Sequence, residues 1–345
     1  MFGFSNKAIR VEIFAKTDLG RTRDHNEDRF LVADLTRKSA SLQPDVRQHT
    51  IGPRGTLLVV ADGMGGAAAG ELASEMATDT IYDHLVKTWN AEQEITPQRF
   101  AYRLKEAVEV ANASIHAHAK AHPEVRGMGT TTTAAGVLND HLYLTQVGDS
   151  RAYLIRGGQA YQITKDQSLM QRLVEAGELT EEEAAQSERR NIILQALGTD
   201  PKVKVDLTHQ EVRRGDVLVL CSDGLSGQVK KDEIAKVVTE APDLAAACDK
   251  LIALANERGG PDNITVVCAR FDGDGLRFSG SGPEEDVGHQ VYPLIDTETS
   301  TEPVPVYKGS RTPVPNKETR QQNRTLLLAL IAIVAAIVWY FTHSQ

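Results

Sequence analysis

The sequence predicts an α+β domain, β-rich stretches interspersed with helical ones, followed by a tail of different composition. Three observations carry that expectation. Leu57-Leu58-Val59-Val60 is an apolar run leading to Asp62 and then glycines, the pattern of a buried strand rather than a helix. From Gly127 the chain turns to consecutive short β-like segments, GMGTTTTAAGVL, HLYLTQVGDS, RAYLIR and QAYQIT. Two stretches, one from Leu72 and one over about residues 98–120, repeat apolar residues at helical spacing instead.

Taken in order, the N-terminal MFGFSNKAIR is too polar for a secretory signal. Ile9, Val11, Ile13 and Ala15 alternate with charged or bulky neighbours, so residues 9–16 read as a half-buried strand. Arg23, Glu27 and Asp28 fall in a loop before another strand, Arg29–Ala33, and by themselves describe no more than a solvated charge cluster. Residues 37–55 are polar, contain Gly52, Pro53 and Gly55, and read as a loop. Gly63, Gly65 and Gly66 then allow a sharp bend after Asp62. The next helix carries Leu72, Met76, Ile81 and Leu85, and the one after it a stripe of Phe100, Leu104, Ala107, Val108, Ala111 and Ile115. His118 and His122 have zinc-pair spacing, but no further ligand lies nearby in sequence and they read as exposed helix-end histidines.

Gly157-Gly158 gives a two-residue hairpin turn, and Asp149 in VGDSR ends a strand. Residues 164–199 are polar and helical in pattern and interrupt the β succession, as a flap beside a site would. The apolar strand Asp216–Leu220 leads to CSDGL, where Asp223-Gly224 repeats the Asp62-Gly63 arrangement. Helices are expected over 231–239 and 242–257, and Asp262 stands in a Gly/Pro turn before a last strand, Ile264–Phe271. The globular domain is therefore residues 1–271, and 272–324, rich in Gly, Ser, Pro and Thr, reads as a linker. Leu326–Phe341 bears no charge and is apolar all round, so residues 325–341 read as a single membrane-spanning helix with a four-residue tail, 342–345. Lys317, Arg320 and Arg324 precede it and no Lys or Arg comes after it, which places the large domain on the cytoplasmic side.

The 345 residues carry a net charge of −9, which excludes a broad nucleic-acid binder. Cys221, Cys248 and Cys268 each sit in an apolar context and read as reduced core residues. Gly63–Ala68 also fits the dinucleotide pattern G-x-G-x-x-A. Against that reading, Asp62 would repel a pyrophosphate, and Asp79 and Asp83 lie within the helical pattern rather than at the end of a second strand. A different chemistry connects more of the chain. Asp28, Asp62, Asp149, Asp223 and Asp262 each fall at a strand end or in a turn abutting one. Antiparallel strands bring such ends to one edge, where like charges repel unless cations are bound. All-oxygen ligands favour Mg²⁺ or Mn²⁺ over zinc.

The segments RTRDHNEDRF, VVADGMGG, GTTTTAAGVL, VGDSRAYLIR, LVLCSDGL and GGPDNITVV, in that order over residues 9–271, resemble the PP2C (PPM) family of metal-dependent serine/threonine protein phosphatases, in its bacterial form. The resemblance implies a four-layer α-β-β-α sandwich of two antiparallel sheets flanked by helices. It implies two, or with Asp149 three, Mn²⁺ or Mg²⁺ ions: Asp62 bridging, the Gly63 carbonyl beside it, Asp223 and Asp262 on the first metal, Glu27 reaching the second and Asp28 orienting its water. Arg23 resembles the phosphate clamp. The implied reaction is attack on a phosphoserine or phosphothreonine by a hydroxide shared between two metals, with no phosphoenzyme. The implied partners are phosphorylated proteins, among them a membrane Ser/Thr kinase and its targets. The alternative on the same fold is an inactive phosphopeptide-binding scaffold. Two departures stand out. Met64 occupies a position where many members have histidine as a proposed acid, leaving a metal-bound water or His25 for that role. The flap opens with Asp166-Gln167-Ser168, where histidine is frequent in the middle.

Overall fold

A computed structural model of the chain describes residues 8–41, 43, 47–278 and 287–294. The expected membrane helix, 325–341, lies outside them, as does most of the expected linker. Among the described residues no helix is long and apolar enough to cross a membrane.

Two sheets face each other. The first has six strands in the order β10(Gln159–Gln162), β9(Arg151–Arg156), β12(Val217–Cys221), β13(Ile264–Asp272), β1(Arg10–Asp18) and β4(Arg47–Thr50). The second runs β11(Asp206–Glu211), β8(His141–Val147), β7(Thr132–Leu138), β5(Thr56–Met64), β2(Asp28–Asp34) and β3(Ser39–Ser41), with β6(Gly129–Thr130) paired to the end of β5. Neighbouring strands in both sheets run antiparallel. The antiparallel neighbours of β5 remove the dinucleotide reading, which requires a parallel βαβ crossover.

The central strands read as unbroken apolar runs because both their faces are buried. In β5, Leu57, Val59 and Ala61 face the helices α1(Ala67–Thr88) and α2(Pro97–Ala121), while Leu58 and Val60 face the other sheet. In β13 the same alternation sends Val267, Ala269 and Phe271 between the sheets and Ile264, Val266 and Cys268 toward α6(Lys231–Glu240) and α7(Leu244–Glu257). Three apolar layers thus separate four layers of secondary structure, as a sandwich of sheets clad in helices requires. Cys221, Cys248 and Cys268 are free and buried in the outer one.

The helices follow their sequence signals, with one refinement. On α1 the fully buried stripe is Ala73, Ala77, Ile81 and Leu85, whereas Leu72 and Met76 pack at its margin. Alanine on that face lets α1 lie close to the sheet. Thr96 caps α2 by accepting from the Arg99 N–H at 3.3 Å, with Pro97 at its first turn.

Two polar edge strands depart from the expected loop at 37–55. β3 pairs with β2 and β4 with β1 at the sheet margins, where one face is wet and apolar periodicity has nothing to report. The flap at 164–199 has less helix than its composition predicts: α3(Leu169–Glu175) and α4(Glu181–Gln186), joined and followed by turns. Residues 287–294, expected within the linker, lie against β11, bridging Thr208 to Val291. His118 and His122 stack with ring centroids 4.0 Å apart, and no set of three potential ligands surrounds them or any other point among the described residues.

Phe100 is fully buried between Trp89, 5.1 Å away, and Tyr143, 5.7 Å away. Phe100→Ala should lower the unfolding free energy by about 3–5 kcal/mol in urea titration, since truncation leaves a cavity under α2.

Candidate active site

One end of the sandwich gathers the acidic residues. Asp28 opens β2 and stands directly across from Asp62 on β5. Asp223 comes just after β12 and opens the short helix α5(Asp223–Ser226), Asp262 precedes β13, and Asp149 sits in the turn between β8 and β9. Both sheets therefore deliver carboxylates to the same edge, which no single hairpin achieves.

The backbone is tightly fixed around these groups. Thr131 N–H and Thr130 Oγ1 both donate to the Asp62 carbonyl, at 2.8 and 2.9 Å, and the Asp62 N–H donates to Thr131 Oγ1 at 3.1 Å. Thr131 Oγ1 also shares a 2.8 Å hydrogen bond with Ser150 Oγ, next to Asp149. Ser222 Oγ donates to Asp28 Oδ2 at 2.7 Å and accepts from the Thr265 N–H at 3.0 Å, tying the two sheets together between acidic positions. Asn263 is buried and holds the loop that bears Arg23 and Glu27. Its Oδ1 accepts from the Glu27 N–H at 2.8 Å, and its Nδ2 donates to the carbonyls of Leu19 and His25 at 2.9 and 3.0 Å.

Two glycines are dictated by close approach. A Cβ on Gly63 would collide with the Gly70 carbonyl of α1, and the Gly63 N–H donates to the Glu27 carbonyl at 3.1 Å. A Cβ on Gly224 would strike the Asn263 carbonyl. Each Asp-Gly pair thus lets an acidic residue sit where two backbones touch.

The electrostatics are those of crowded like charges. Desolvation and the neighbouring Asp28, Asp223, Asp149 and Asp262 hold the Asp62 carboxyl well above the usual range. Burial, opposed by Ser222 and reinforced by Asp223, pushes Asp28 up to about 7. Burial, then Asp223 and Asp166, push Asp149 up to about 8. Asp223 is raised by burial and then by Asp262, with Asp62 and the arginines at the site working the other way. Carboxyls crowded in this way stay together only if protons or cations offset their charge. No three of these side chains already enclose a common point at ligand distance; what the structure shows is a set close enough for each to resist ionisation of the next.

The donor set suits hard cations on a separate ground. Asp28 Oδ1 and Asp223 Oδ1 are buried oxygens with no hydrogen-bond partner. Orphaned carboxylate oxygens in a desolvated cluster are costly unless something positive lies against them.

Arg23 lies at the rim. Its Nη2 donates to Asp262 Oδ2 at 2.8 Å, which raises the pKa of the guanidinium, and its side chain is half exposed. Glu27 is partly buried, and its carboxyl is raised by desolvation against the opposing pull of Arg23. Met64 ends β5, paired with Gly129, and His25 is exposed. The flap base is tied to the site. Asp166 accepts from Arg151 at 2.7 Å, and Gln167 and Gly148 exchange two hydrogen bonds, at 2.8 and 3.0 Å, beside Asp149. A cleft of about 1060 Å³ opens over Arg23, Asp149, Asp223 and Asp262 under the flap. A separate cavity of about 690 Å³ at the far end of β1 and β13 is lined by arginines, of which Arg10 and Arg214 are paired with Asp272.

Thr130, Thr131, Ser150, Ser222 and Asn263 are the residues that sequence reasoning left unassigned. A signal existed. Ser150, Ser222 and Asn263 are polar residues directly adjacent in sequence to Asp149, Asp223 and Asp262, and Thr130 and Thr131 belong to a run of four threonines in a stretch that otherwise reads as strand core; all five are buried.

Residues 36–263 match the protein phosphatase 2C family. The chain is 35% identical over 257 residues to the serine/threonine phosphatase stp of Listeria monocytogenes, covering 74% of this chain and 94% of that one. It is 42% identical over 213 residues to the serine/threonine protein phosphatase PstP of Mycobacterium tuberculosis, covering 62% of this chain and 40% of that longer protein. Among solved structures, the catalytic domain of a PstP in complex with two manganese ions superposes with a TM-score of 0.62 at 37% identity, covering 76% of this chain and 99% of that chain. The chain belongs to the protein phosphatase 2C family, a class of antiparallel sandwich with an acidic, oxygen-rich site at one end. Its activity is that of a serine/threonine protein phosphatase, and the inactive-scaffold alternative finds no support.

Asn263→Ala leaves the Glu27 N–H without its acceptor and unties the loop. It should cost about 1–3 kcal/mol of stability by urea titration and lower phosphatase activity in parallel, because Arg23 and Glu27 ride on that loop.

Proposed function

We propose that this chain hydrolyses phosphoserine and phosphothreonine in proteins at a membrane surface, using Mn²⁺ or Mg²⁺ held by the acidic end of the sandwich. The observation that carries the reading is the convergence of Asp28, Asp62, Asp149, Asp223 and Asp262, two of them with partnerless buried oxygens. Asp62, Asp223, Asp262 and the Gly63 carbonyl are the residues to hold two ions. Glu27 and Asp28 serve the second, and Asp149 a third. Bound there, the ions would supply Lewis acidity and an ionised water at neutral pH.

The chain's own residues do the rest. Arg23 exchanges Asp262 for the substrate, its planar fork matching two phosphate oxygens that do not react. Ser222 and Asn263 keep Asp28 and Glu27 in register while charge moves through the site. Met64 has no proton to give, so the leaving alkoxide takes its proton from water in the cleft. The flap, anchored by Asp166 and Gln167, shelters that cleft.

Membrane attachment rests on the sequence. Leu326–Phe341 is uncharged, with Lys317, Arg320 and Arg324 on the side of the domain. Tethering on the cytoplasmic face would raise the local concentration of a membrane Ser/Thr kinase and its phosphorylated targets.

Three experiments test this. The full chain with Mn²⁺ should release phosphate from a phosphothreonine peptide, lose that activity to EDTA, and recover it on adding Mn²⁺. Asp62→Asn should reduce kcat/KM by more than about 100-fold and weaken Mn²⁺ binding by calorimetry; a folded variant with normal turnover contradicts the assignment. On fractionation of cells, the full chain should sediment with membranes and resist high salt, and deletion of 325–345 should release it to the supernatant.

A further inference from the structure

Beyond the carboxylate end of the sandwich, one feature goes unused by the hydrolytic reading: residues 287–294, which lie past the last domain strand. They run along the open edge of the seven-strand sheet, at β11, joined to it by a single antiparallel bridge. The His209 N–H donates to the Gln290 carbonyl at 3.0 Å, and the Tyr292 N–H donates to the Leu207 carbonyl at 2.9 Å, around an antiparallel bridge between Thr208 and Val291. Exposure alternates along the segment: His289, Val291 and Pro293 face out, and Gln290, Tyr292 and Leu294 are half-buried. That period of two is the mark of a strand with one packed face.

The segment is anchored at both ends. Tyr292 meets Tyr143 and His209 edge-on, at 5.2 and 5.1 Å, and with Leu294 it packs on the core between helices and sheet. Gln98 on α2 donates to the Pro293 carbonyl at 3.0 Å. At the other end Val287 packs against the core between the sheets, and Val287 and His289 both line the active-site cleft. Lys165 at the flap base, itself bridged to Glu175 of α3 at 2.6 Å, lines the same cleft. An edge strand covered only to prevent aggregation would not need to reach the cleft.

We propose that residues 287–294 are a substrate-positioning strand, which sets Val287 and His289 into the cleft wall beside the flap so that they grip the polypeptide flanking the phosphorylated residue. The proposal rests on the phosphatase reading and deepens it: the protein part of the substrate, not its phosphate, is what this strand recognises. Such a contact is made equally in ground and transition states, so its loss appears in KM rather than in kcat.

The test uses the full chain with Mn²⁺ and two substrates, a phosphothreonine peptide and p-nitrophenyl phosphate, which has no flanking polypeptide. Tyr292→Ala removes the anchor of the strand. It should raise KM for the peptide about fivefold with kcat within about twofold, and leave turnover of p-nitrophenyl phosphate as in the parent. His289→Ala, which removes an exposed side chain and disturbs no core packing, should raise the peptide KM in the same direction and so decides the matter should Tyr292→Ala fold poorly. An unchanged peptide KM in His289→Ala, or a parallel loss on both substrates, overturns the proposal. A parent chain inactive on both substrates would instead overturn the phosphatase reading itself.

Discussion

The structure depends on a repulsion that it is built to contain. Asp28, Asp62, Asp149 and Asp223 share a poorly solvated space in which ionising one raises the pKa of the next. Left to itself such a cluster would spread, because carboxylates prefer water and distance. Here they stay together, since the backbone under them is pinned by groups that carry no charge. Thr130 of β6 and Thr131 just after it hold the Asp62 backbone, Ser222 crosses between the sheets to Asp28, and Asn263 clasps the loop before β2. The apolar layers make those pins stiff: each lies at the end of a strand buried on both faces.

Rigidity of this kind has a functional reason. A site that converged only on binding cations would lose binding free energy to the ordering of several strand ends. Gathering the carboxylates at one edge moves part of that cost into folding, where the three apolar layers offset it. A divalent cation bound there would stabilise the native state by mass action, because the unfolded chain scatters the same carboxylates along some 235 residues from Asp28 to Asp262.

Much of this was legible in the sequence, for physical reasons that also mark where legibility stops. Strands such as β5 and β13 announce themselves because burial on both faces removes polar alternatives. The Asp-Gly steps at 62–63 and 223–224 are equally plain, since the glycine answers to a backbone only van der Waals distance away. The edge strands β3, β4 and β11 are polar, and their pairing is specified by partners distant in sequence. The same holds for Ser222 and Asn263. Their side chains look ordinary locally, and their importance comes from an acceptor or donor more than 190 residues away. The flap misled in the opposite sense: its glutamate-rich composition favours helix, but tertiary hydrogen bonds such as Leu169 to Ile192 and Leu194 to Gln167 draw it into turns.

The tail segment at 287–294 shows why composition is a poor guide to where a domain ends. Its surroundings are rich in Gly, Ser, Pro and acidic residues, which argues for linker. Yet an edge strand such as β11 offers a row of unpaired donors and acceptors to any extended chain within reach, and the nearest chain is the protein's own. Two main-chain hydrogen bonds, Tyr292 among aromatic neighbours, the Gln98 side chain on the Pro293 carbonyl, and Val287 and Leu294 against the apolar layers together hold it there. Any sheet with an open edge near a cleft faces the same choice. The edge must be blunted, paired with a partner, or closed by a later stretch of the same chain. Here the chain closes its own edge, and that makes the wall of the active-site cleft dependent on residues past the last strand of the sandwich.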